Sequence, residues 1–128
     1  MDFKLELVAV PVSDVDRAKA FYEQVGFNAD HDHVVSDDIR FVQLTPPGSG
    51  CSIALGKGVT DMEPGSLRGL QVVVDDINAA NARVRELGGE AGDPMPVPSM
   101  GWFSLCTDTE GNDFGLWQTD ANASMPES

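Results

Sequence analysis

Two segments of the chain, residues 8–27 and 70–89, align with each other without a gap. The shared positions hold small apolar residues, one acidic residue and one glycine. Self-similarity at a constant offset indicates that one supersecondary unit occurs twice. The chain is therefore expected to fold as two copies of a single design. The matched pairs are Val10 and Val72, Val12 and Val74, Asp14 and Asp76, Ala18 and Ala80, Ala20 and Ala82, and Gly26 and Gly88.

Each copy begins with a strand that leads into a helix. Apolar residues alternate with other residues at the start of each copy, and this period-2 spacing predicts a strand. An N-cap candidate, apolar residues at helical spacing and a terminal glycine then predict a helix. The N-cap candidates are Ser13 or Asp14 and Asp75 or Asp76, and the terminal glycines are Gly26 and Gly88.

Three short strands are predicted after each helix, which makes the order β-α-β-β-β in both copies. Residues 56–66 have the glycine, proline and polar content of a linker between the copies. Residues 121–128 are expected to form a flexible tail. The predicted later strands lie near residues 28–35, 39–45 and 52–55 in the first copy, and near 91–95, 103–106 and 113–118 in the second.

Composition limits the classes of partner. The chain has 128 residues and a net charge of −13. Such an acidic protein lacks the basic surface that nucleic acid and anionic membranes require, whereas it is compatible with cationic small molecules. An apolar run near the roughly 18 residues of a membrane helix is missing, as is a signal-peptide pattern, so we expect a cytoplasmic protein. Cys51 and Cys106 are expected to be small buried thiols rather than a disulfide framework.

Three stretches resemble the vicinal oxygen chelate superfamily, also called the glyoxalase/bleomycin resistance protein/dioxygenase superfamily. They are VSDVDRAKAFYEQVGF at 12–27, VVDDINAANARVRELGGE at 73–90 and DTEGNDFGLWQ at 108–118. The resemblance implies an α+β fold in which two β-α-β-β-β modules form a curved mixed sheet around a cavity. The single domain would span residues 1–120, with module one at about 4–56 and module two at about 66–119.

Metal-dependent members of this superfamily place ligands at defined strand positions. In this sequence those positions fall on Leu7, Gly69 and Gly115, and a fourth falls within residues 52–55. Leucine and glycine side chains cannot bind a metal, whereas divalent metals prefer His and carboxylate donors. Gly115 would instead leave space beside Trp117. The resemblance with these substitutions implies a protein without a metal or other cofactor.

If Leu7 points into the cavity, strand alternation places an apolar lining with one amide and an indole there. A flat, largely apolar ligand, cationic or neutral, would suit such a lining. The alternative is that Trp102 and Trp117 are core residues and that Gln43 points outward from its strand. The predicted ligand-binding residues are Leu7, Ala9, Gln43, Gly69, Gln71, Trp102, Gly115 and Trp117.

The sequence thus supports two functional hypotheses. The first is a metal-free binding protein that sequesters a planar ligand such as an antibiotic, with no catalytic residues. The second is a metal-dependent lyase, isomerase or dioxygenase with unusual ligands such as His31, His33 or Glu6. We interpret His31 and His33 as solvated or structural residues, placed away from the expected metal positions. The resemblance also implies a homodimer.

Overall fold

The computed structural model describes residues 1–119 of the chain. The chain divides into two compact units, residues 1–67 and residues from 68 onward. Each unit holds one helix and one mixed sheet, as the repeat predicts. The predicted flexible tail at 121–128 lies outside the described residues. Among residues 1–119, neither helix has the length and apolar character needed to cross a membrane.

The first unit follows the predicted β-α-β-β-β order. Its sheet has the strand order β1-β4-β3-β2. The first and last strands pair in parallel, and the other neighbours are antiparallel. The elements are β1 (Leu7–Ala9), α1 (Val15–Val25), β2 (Asn28–Ser36), β3 (Ile39–Thr45) and β4 (Ser52–Lys57).

The second unit repeats this topology with one change. Its sheet has the order β5-β9-β8-β6, and β7 also pairs with β8. The single strand predicted near residues 91–95 is wrong, because two short strands stand there with Pro94 between them, and proline removes a ladder donor. The elements are β5 (Leu70–Val73), α2 (Ile77–Glu86), β6 (Glu90–Ala91), β7 (Met95–Val97), β8 (Gly101–Thr107) and β9 (Asp113–Thr119).

Both helices begin at equivalent aspartates. The Asp14 carboxylate accepts a hydrogen bond from the Arg17 backbone N–H, and the Asp76 carboxylate accepts one from the Ala79 N–H. These bonds satisfy N–H groups that the first helical turn leaves without an internal partner. Gly26 ends α1 with φ of +131°, a backbone conformation that disfavours side chains. Of the two N-cap candidates in each copy, Asp14 caps α1 and Asp76 caps α2.

Each helix packs on one face of its own sheet. In the first unit, Val42 and Leu44 alternate with half-buried residues along β3 and are fully buried. In the second unit, Phe114 and Leu116 are buried along β9. Since side chains alternate across a strand, the residues between them lie on the opposite sheet face. We call this opposite face of each unit its far face.

A hydrogen-bonded turn, in which Asp108 and Asn112 are buried, connects β8 to β9. The Asp108 carboxylate accepts hydrogen bonds from the backbone N–H groups of Glu110 and Asn112. Asn112 also donates from its side-chain amide to Asp108, at 3.0 Å. Gly111 adopts φ of +98° in this turn, where glycine is favoured. The turn fixes the register of the two strands, so that Phe103 lies opposite Trp117.

Candidate functional site

The two units align their first and last strands in the same register. Ala9 pairs with Ala54 in the first unit, and Gln71 pairs with Gly115 in the second. Residues paired in this way share a sheet face. Ala54 is therefore the first-unit equivalent of Gly115 and identifies the fourth superfamily ligand position within residues 52–55.

Trp117 and Gln71 meet on the far face of the second unit. The indole Nε1 of Trp117 donates a hydrogen bond to Oε1 of Gln71 at 2.6 Å. The ring of Phe103 lies 4.8 Å from that of Trp117, centroid to centroid, at an interplanar angle of 52°. Such a tilted aromatic pair with a positioned amide offers a flat apolar contact and one polar group.

Gly115 makes room for Phe103. A Cβ atom at Gly115 would lie 2.5 Å from Cε1 of Phe103 and 3.5 Å from Cγ of Gln71. The space that Gly115 leaves beside Trp117 is therefore occupied by the Phe103 ring. Sequence reasoning missed Phe103. The signal for it was the turn at 108–112, since counting residues outward from both ends of the turn pairs Phe103 with Trp117.

Exposed apolar side chains border the aromatic pair. Val73 pairs with Trp117 and is 65% exposed, and Leu105 pairs with Gly115 and is 52% exposed. Met95, opposite Phe103 in β7, is 55% exposed. An apolar surface that stays in contact with water is a feature of ligand and interaction sites. Gly69, another predicted lining residue, directly precedes β5 and is exposed.

Trp102 does not share this surface. It follows Gly101 in β8 and pairs with Gln118, so alternation places its side chain on the sheet face opposite Trp117. There it lines a cavity of about 420 Å³ together with Ile77, Asn78, Pro94 and Gln118. The Gln118 side chain accepts a hydrogen bond from the Ile77 N–H at 2.9 Å, which fixes this wall at the start of α2. The two tryptophans therefore report on different surfaces.

The far face of the first unit is more polar. Gln43 donates from Nε2 to Oγ of Ser52 at 3.1 Å, and Ser52 lies 2.7 Å from the Thr45 hydroxyl. The Thr45 hydroxyl in turn donates to the Asp30 carboxylate. Leu7 pairs with Ser52 and is 37% exposed, while Ala9 is half-buried.

His31 and His33 lie on this same far face. His31 pairs with Gln43, and His33 pairs with Phe41. Their rings stack with centroids 5.6 Å apart and an interplanar angle of 27°. His31 lies two strands away from Ala54, the superfamily ligand position of this sheet, and Gln43 stands between them. The register Ala54–Gln43–His31 crosses three neighbouring strands on one face.

The superfamily metal positions in this chain do not fit a metal. Leu7, Ala54, Gly69 and Gly115 offer no side-chain donor atom. Gly69 has φ of +94°, a backbone conformation that disfavours any side chain at this position. A side chain at Gly115 would collide with Phe103. Within residues 1–119, no three His, Cys, Asp or Glu side chains gather closely enough to hold a metal ion.

Cys106 is buried as expected, whereas Cys51 is half-buried, so the expectation of burial is wrong for Cys51. Burial raises the pKa of the Cys106 thiol, which disfavours the thiolate needed of a nucleophile. Hydrogen bonds from Arg40 and then Lys19 hold the pKa of Asp32 well below its ordinary range. The Arg40–Asp32 contact is 2.8 Å, and Arg40 also reaches Asp16 at 2.8 Å. This network connects α1 to the sheet on the face opposite Gln43.

The chain resembles known proteins over nearly its whole length. The family model described as Glyoxalase/Bleomycin resistance protein/Dioxygenase superfamily matches residues 4–116. A solved structure of TnmS3, described as an antibiotic binding protein from Streptomyces sp. CB03234, is 38% identical, with a TM-score of 0.81, covering 93% of this chain and 98% of that one. No curated protein matches the chain.

Two further solved structures extend the comparison. A glyoxalase/bleomycin resistance protein from Streptomyces sp. CB03234 is 39% identical, with a TM-score of 0.78, covering 90% of this chain and 100% of that one. A superfamily member from Sphaerobacter thermophilus DSM 20745 is 27% identical, with a TM-score of 0.79, covering 91% of this chain and 98% of that one.

Proposed function

This chain belongs to the glyoxalase/bleomycin resistance protein/dioxygenase superfamily, and we propose that it is a metal-free binding protein that sequesters a planar small molecule. The ligand is largely apolar, and an antibiotic is one example of the class. The protein holds this ligand without converting it. It works in the cytoplasm as a homodimer.

The observation that carries this proposal is the Phe103–Trp117 pair with Gln71 beside it. The two rings form a tilted aromatic surface, and the amide lies within hydrogen-bond distance of the indole. Aromatic stacking contributes about 0.5–1.5 kcal/mol beyond buried area, and a positioned polar group adds orientation. Exposed Val73, Leu105 and Met95 enlarge the apolar contact area.

Charge and relatedness support the same class of function. A net charge of −13 favours the approach of a cation, and the indole of Trp117 can hold a cation through its π face. The 38% identical TnmS3 is described as an antibiotic binding protein. Because the alignment covers nearly the full length of both chains, this similarity supports a related class of ligand for this protein.

The competing proposal is a metal-dependent lyase, isomerase or dioxygenase. The observation in its favour is the stacked pair of His31 and His33, whose ring centroids lie 5.6 Å apart on one strand face. Two imidazoles placed in this way can approach one ion. A metal there would need further ligands from water or substrate. This alternative predicts one tightly bound metal per chain and turnover that depends on it.

Elemental analysis and calorimetric titration with Ni²⁺, Zn²⁺, Mn²⁺ and Fe²⁺ separate the two proposals. We expect no saturable binding near one ion per chain. One tightly bound ion per chain, lost in a His31→Ala variant, would contradict the binding-protein proposal and favour the enzyme.

Ligand binding is then measured with single-tryptophan variants. Trp102→Phe keeps only Trp117, and Trp117→Phe keeps only Trp102, so each variant reports on one sheet face. Planar antibiotics are titrated while fluorescence is recorded, and the recovered ligand is checked for chemical change. We expect saturable quenching in Trp102→Phe and a loss of affinity of about tenfold in Trp117→Phe, since one aromatic contact is weakened. Quenching confined to Trp102 would move the site to the other face.

A further inference from the structure

Four side chains on the first unit form a continuous hydrogen-bonded chain across three strands. Asp30 lies in β2, Gln43 and Thr45 in β3, and Ser52 in β4. The contacts run from Gln43 to Ser52, from Ser52 to Thr45 and from Thr45 to Asp30. Ser52 is buried, so its hydroxyl depends on these partners.

We call this series of hydrogen bonds, from Gln43 through Ser52 and Thr45 to Asp30, the relay. Counting the hydroxyl protons shows which group donates in each of its bonds. A carboxylate only accepts hydrogen bonds, so Thr45 must donate its single hydroxyl proton to Asp30. Thr45 can then only accept from Ser52, which uses the single hydroxyl proton of Ser52. Ser52 has no proton left for Gln43, and it accepts from the Gln43 amide instead.

The orientation of the Gln43 amide follows from this direction. Its Nε2 must face Ser52, so its Oε1 is directed away from Ser52. Among residues 1–119, no group donates a hydrogen bond to this Oε1, and Gln43 is half-buried on the far face. The carbonyl of Gln43 is therefore a fixed acceptor that a bound molecule can use.

Gln71 in the second unit has the opposite orientation. The indole Nε1 of Trp117 can only donate, so Gln71 must present Oε1 to it. The amide N–H groups of Gln71 then remain as donors. One glutamine thus presents an acceptor and the other a donor, and in each case a neighbouring group excludes the reversed amide.

We propose that Asp30, acting through Thr45 and Ser52, is a positioning residue that makes Gln43 select ligands bearing a hydroxyl or N–H donor. This inference goes beyond the proposed function, because Gln43 lies on the far face of the first unit. It rests on the proposed function only for the presence of a ligand. Strand pairing already holds β2, β3 and β4 together through backbone bonds. The side-chain relay adds a direction that backbone pairing does not supply.

The relay is tested first in the free protein by nuclear magnetic resonance. In the wild type, we expect cross-relaxation between the Gln43 side-chain N–H protons and the Ser52 β-protons. An Asp30→Asn variant allows the chain to run in either direction, because an amide both donates and accepts. The Gln43 signal should weaken by about twofold as the amide populates both orientations, the even split that equal hydrogen bonds would give.

Asp37→Asn is the matched control, since it removes the same charge from the exposed β2–β3 turn without touching Thr45. Thr45→Val is a second variant that interrupts the relay without changing charge, and it should match Asp30→Asn. An unchanged Gln43 signal in both relay variants would overturn the proposal whatever the protein binds.

Ligand selection is tested with two planar probes, 2-naphthol and 2-methoxynaphthalene, which differ in one donor proton. The ratio of their affinities is compared between variants, so that the apolar contribution cancels. We expect the preference for 2-naphthol to fall by about threefold to tenfold in Asp30→Asn and Thr45→Val, the range of one hydrogen bond, and to stay unchanged in Asp37→Asn.

The outcomes separate this proposal from the proposed function. Equal ratios in all variants would overturn the selection by Gln43 while leaving small-molecule binding intact. A failure of the wild type to bind either probe, or the planar antibiotics, would count against the proposed function and would overturn donor selection as well. The free-protein signal of Gln43 would still decide the direction of the relay.

Discussion

The far faces of the two units share a backbone register and differ in chemistry. Ala9 and Ala54 occupy in the first unit the places that Gln71 and Gly115 occupy in the second. The first far face carries a series of side-chain hydrogen bonds that runs from Gln43 through Ser52 and Thr45 to Asp30. The second carries the aromatic pair of Phe103 and Trp117. Duplication has preserved the strand pairing that the fold needs, while the side chains on the far faces have diverged.

One equivalent pair shows why the aromatic surface lies in only one unit. Phe41 pairs with Gly56 in the first sheet, as Phe103 pairs with Trp117 in the second. Gly56 has φ of +149°, and a Cβ there would lie 1.9 Å from the Arg40 carbonyl oxygen. The local backbone of the first unit therefore rejects any side chain where the second unit carries its indole.

The largest predicted effect tests this difference directly. Gly56→Ala should lower the free energy of unfolding by about 3 kcal/mol or more, because the new methyl group meets backbone that cannot turn away. Chemical denaturation monitored by circular dichroism measures the change. Gly50→Ala is the control, since a Cβ there meets open space among the described residues. A loss for Gly56→Ala below about 0.5 kcal/mol, the size typical of neutral surface sites, would contradict the assigned strain.

A smaller loss is expected at the equivalent of Ala54 in the second unit. Gly115→Glu places a carboxylate at a superfamily ligand position but drives its Cβ towards the Phe103 ring. Because a side chain can move where backbone cannot, the cost should be about 1–3 kcal/mol. Gly115→Glu combined with Phe103→Leu should recover part of this loss. An additive double mutant would show that Phe103 is not the obstacle.

The amide on the second face can be tested through its indole partner. Gln71→Leu removes the acceptor of the Trp117 N–H. The expected loss of stability is about 1 kcal/mol, the net contribution of a typical hydrogen bond. In the Trp102→Phe background, the emission of Trp117 should shift because its N–H turns to water. Gln24→Leu, on the exposed surface of α1, provides the control for adding an apolar side chain. An unshifted emission spectrum would contradict a hydrogen bond between Gln71 and the Trp117 indole in solution.

The smallest effect concerns how each helix is held to its sheet. Asp32→Asn should cost about 1 kcal/mol or less at neutral pH, since the Arg40 and Lys19 pairs are partly exposed and screened. The folded-state pKa of Asp32 is lowered, so its contribution is complete above the unfolded carboxyl pKa of about 4. It should decline as the pH falls below that value.

The second unit supplies the contrast for this pH dependence. Its helix is held by buried Asn81, which donates to the Gly92 carbonyl at 2.9 Å and accepts from Ser104 at 2.7 Å. Neither contact involves an ionisable group. The loss in Asn81→Ala should therefore stay level between pH 3 and pH 7, an interval around the carboxyl pKa of about 4, while that in Asp32→Asn shrinks towards the acidic end. Unfolding measured by urea at both pH values compares them, and parallel behaviour would contradict the assignment to Asp32.

The repeat, the caps and most strands were readable because they depend on local patterns. Asp14 and Asp76 cap their helices, and apolar alternation located the sheet faces that pack on them. The split of the strand near Pro94 and the β7–β8 hairpin were not predicted. A proline and a positive φ at Ser99 change pairing over only a few residues, which periodicity over a longer window averages out.

The sequence by itself determined the duplicated α+β design, the superfamily and the absence of donor atoms at Leu7, Gly69 and Gly115. These follow from residue identity and spacing. The tertiary structure decided that Phe103 fills the place beside Trp117, that Trp102 lies on the other face, and that Asp30 orients Gln43. Such facts depend on which strands become neighbours and on where single protons go, and residues distant in sequence meet only after the chain has folded.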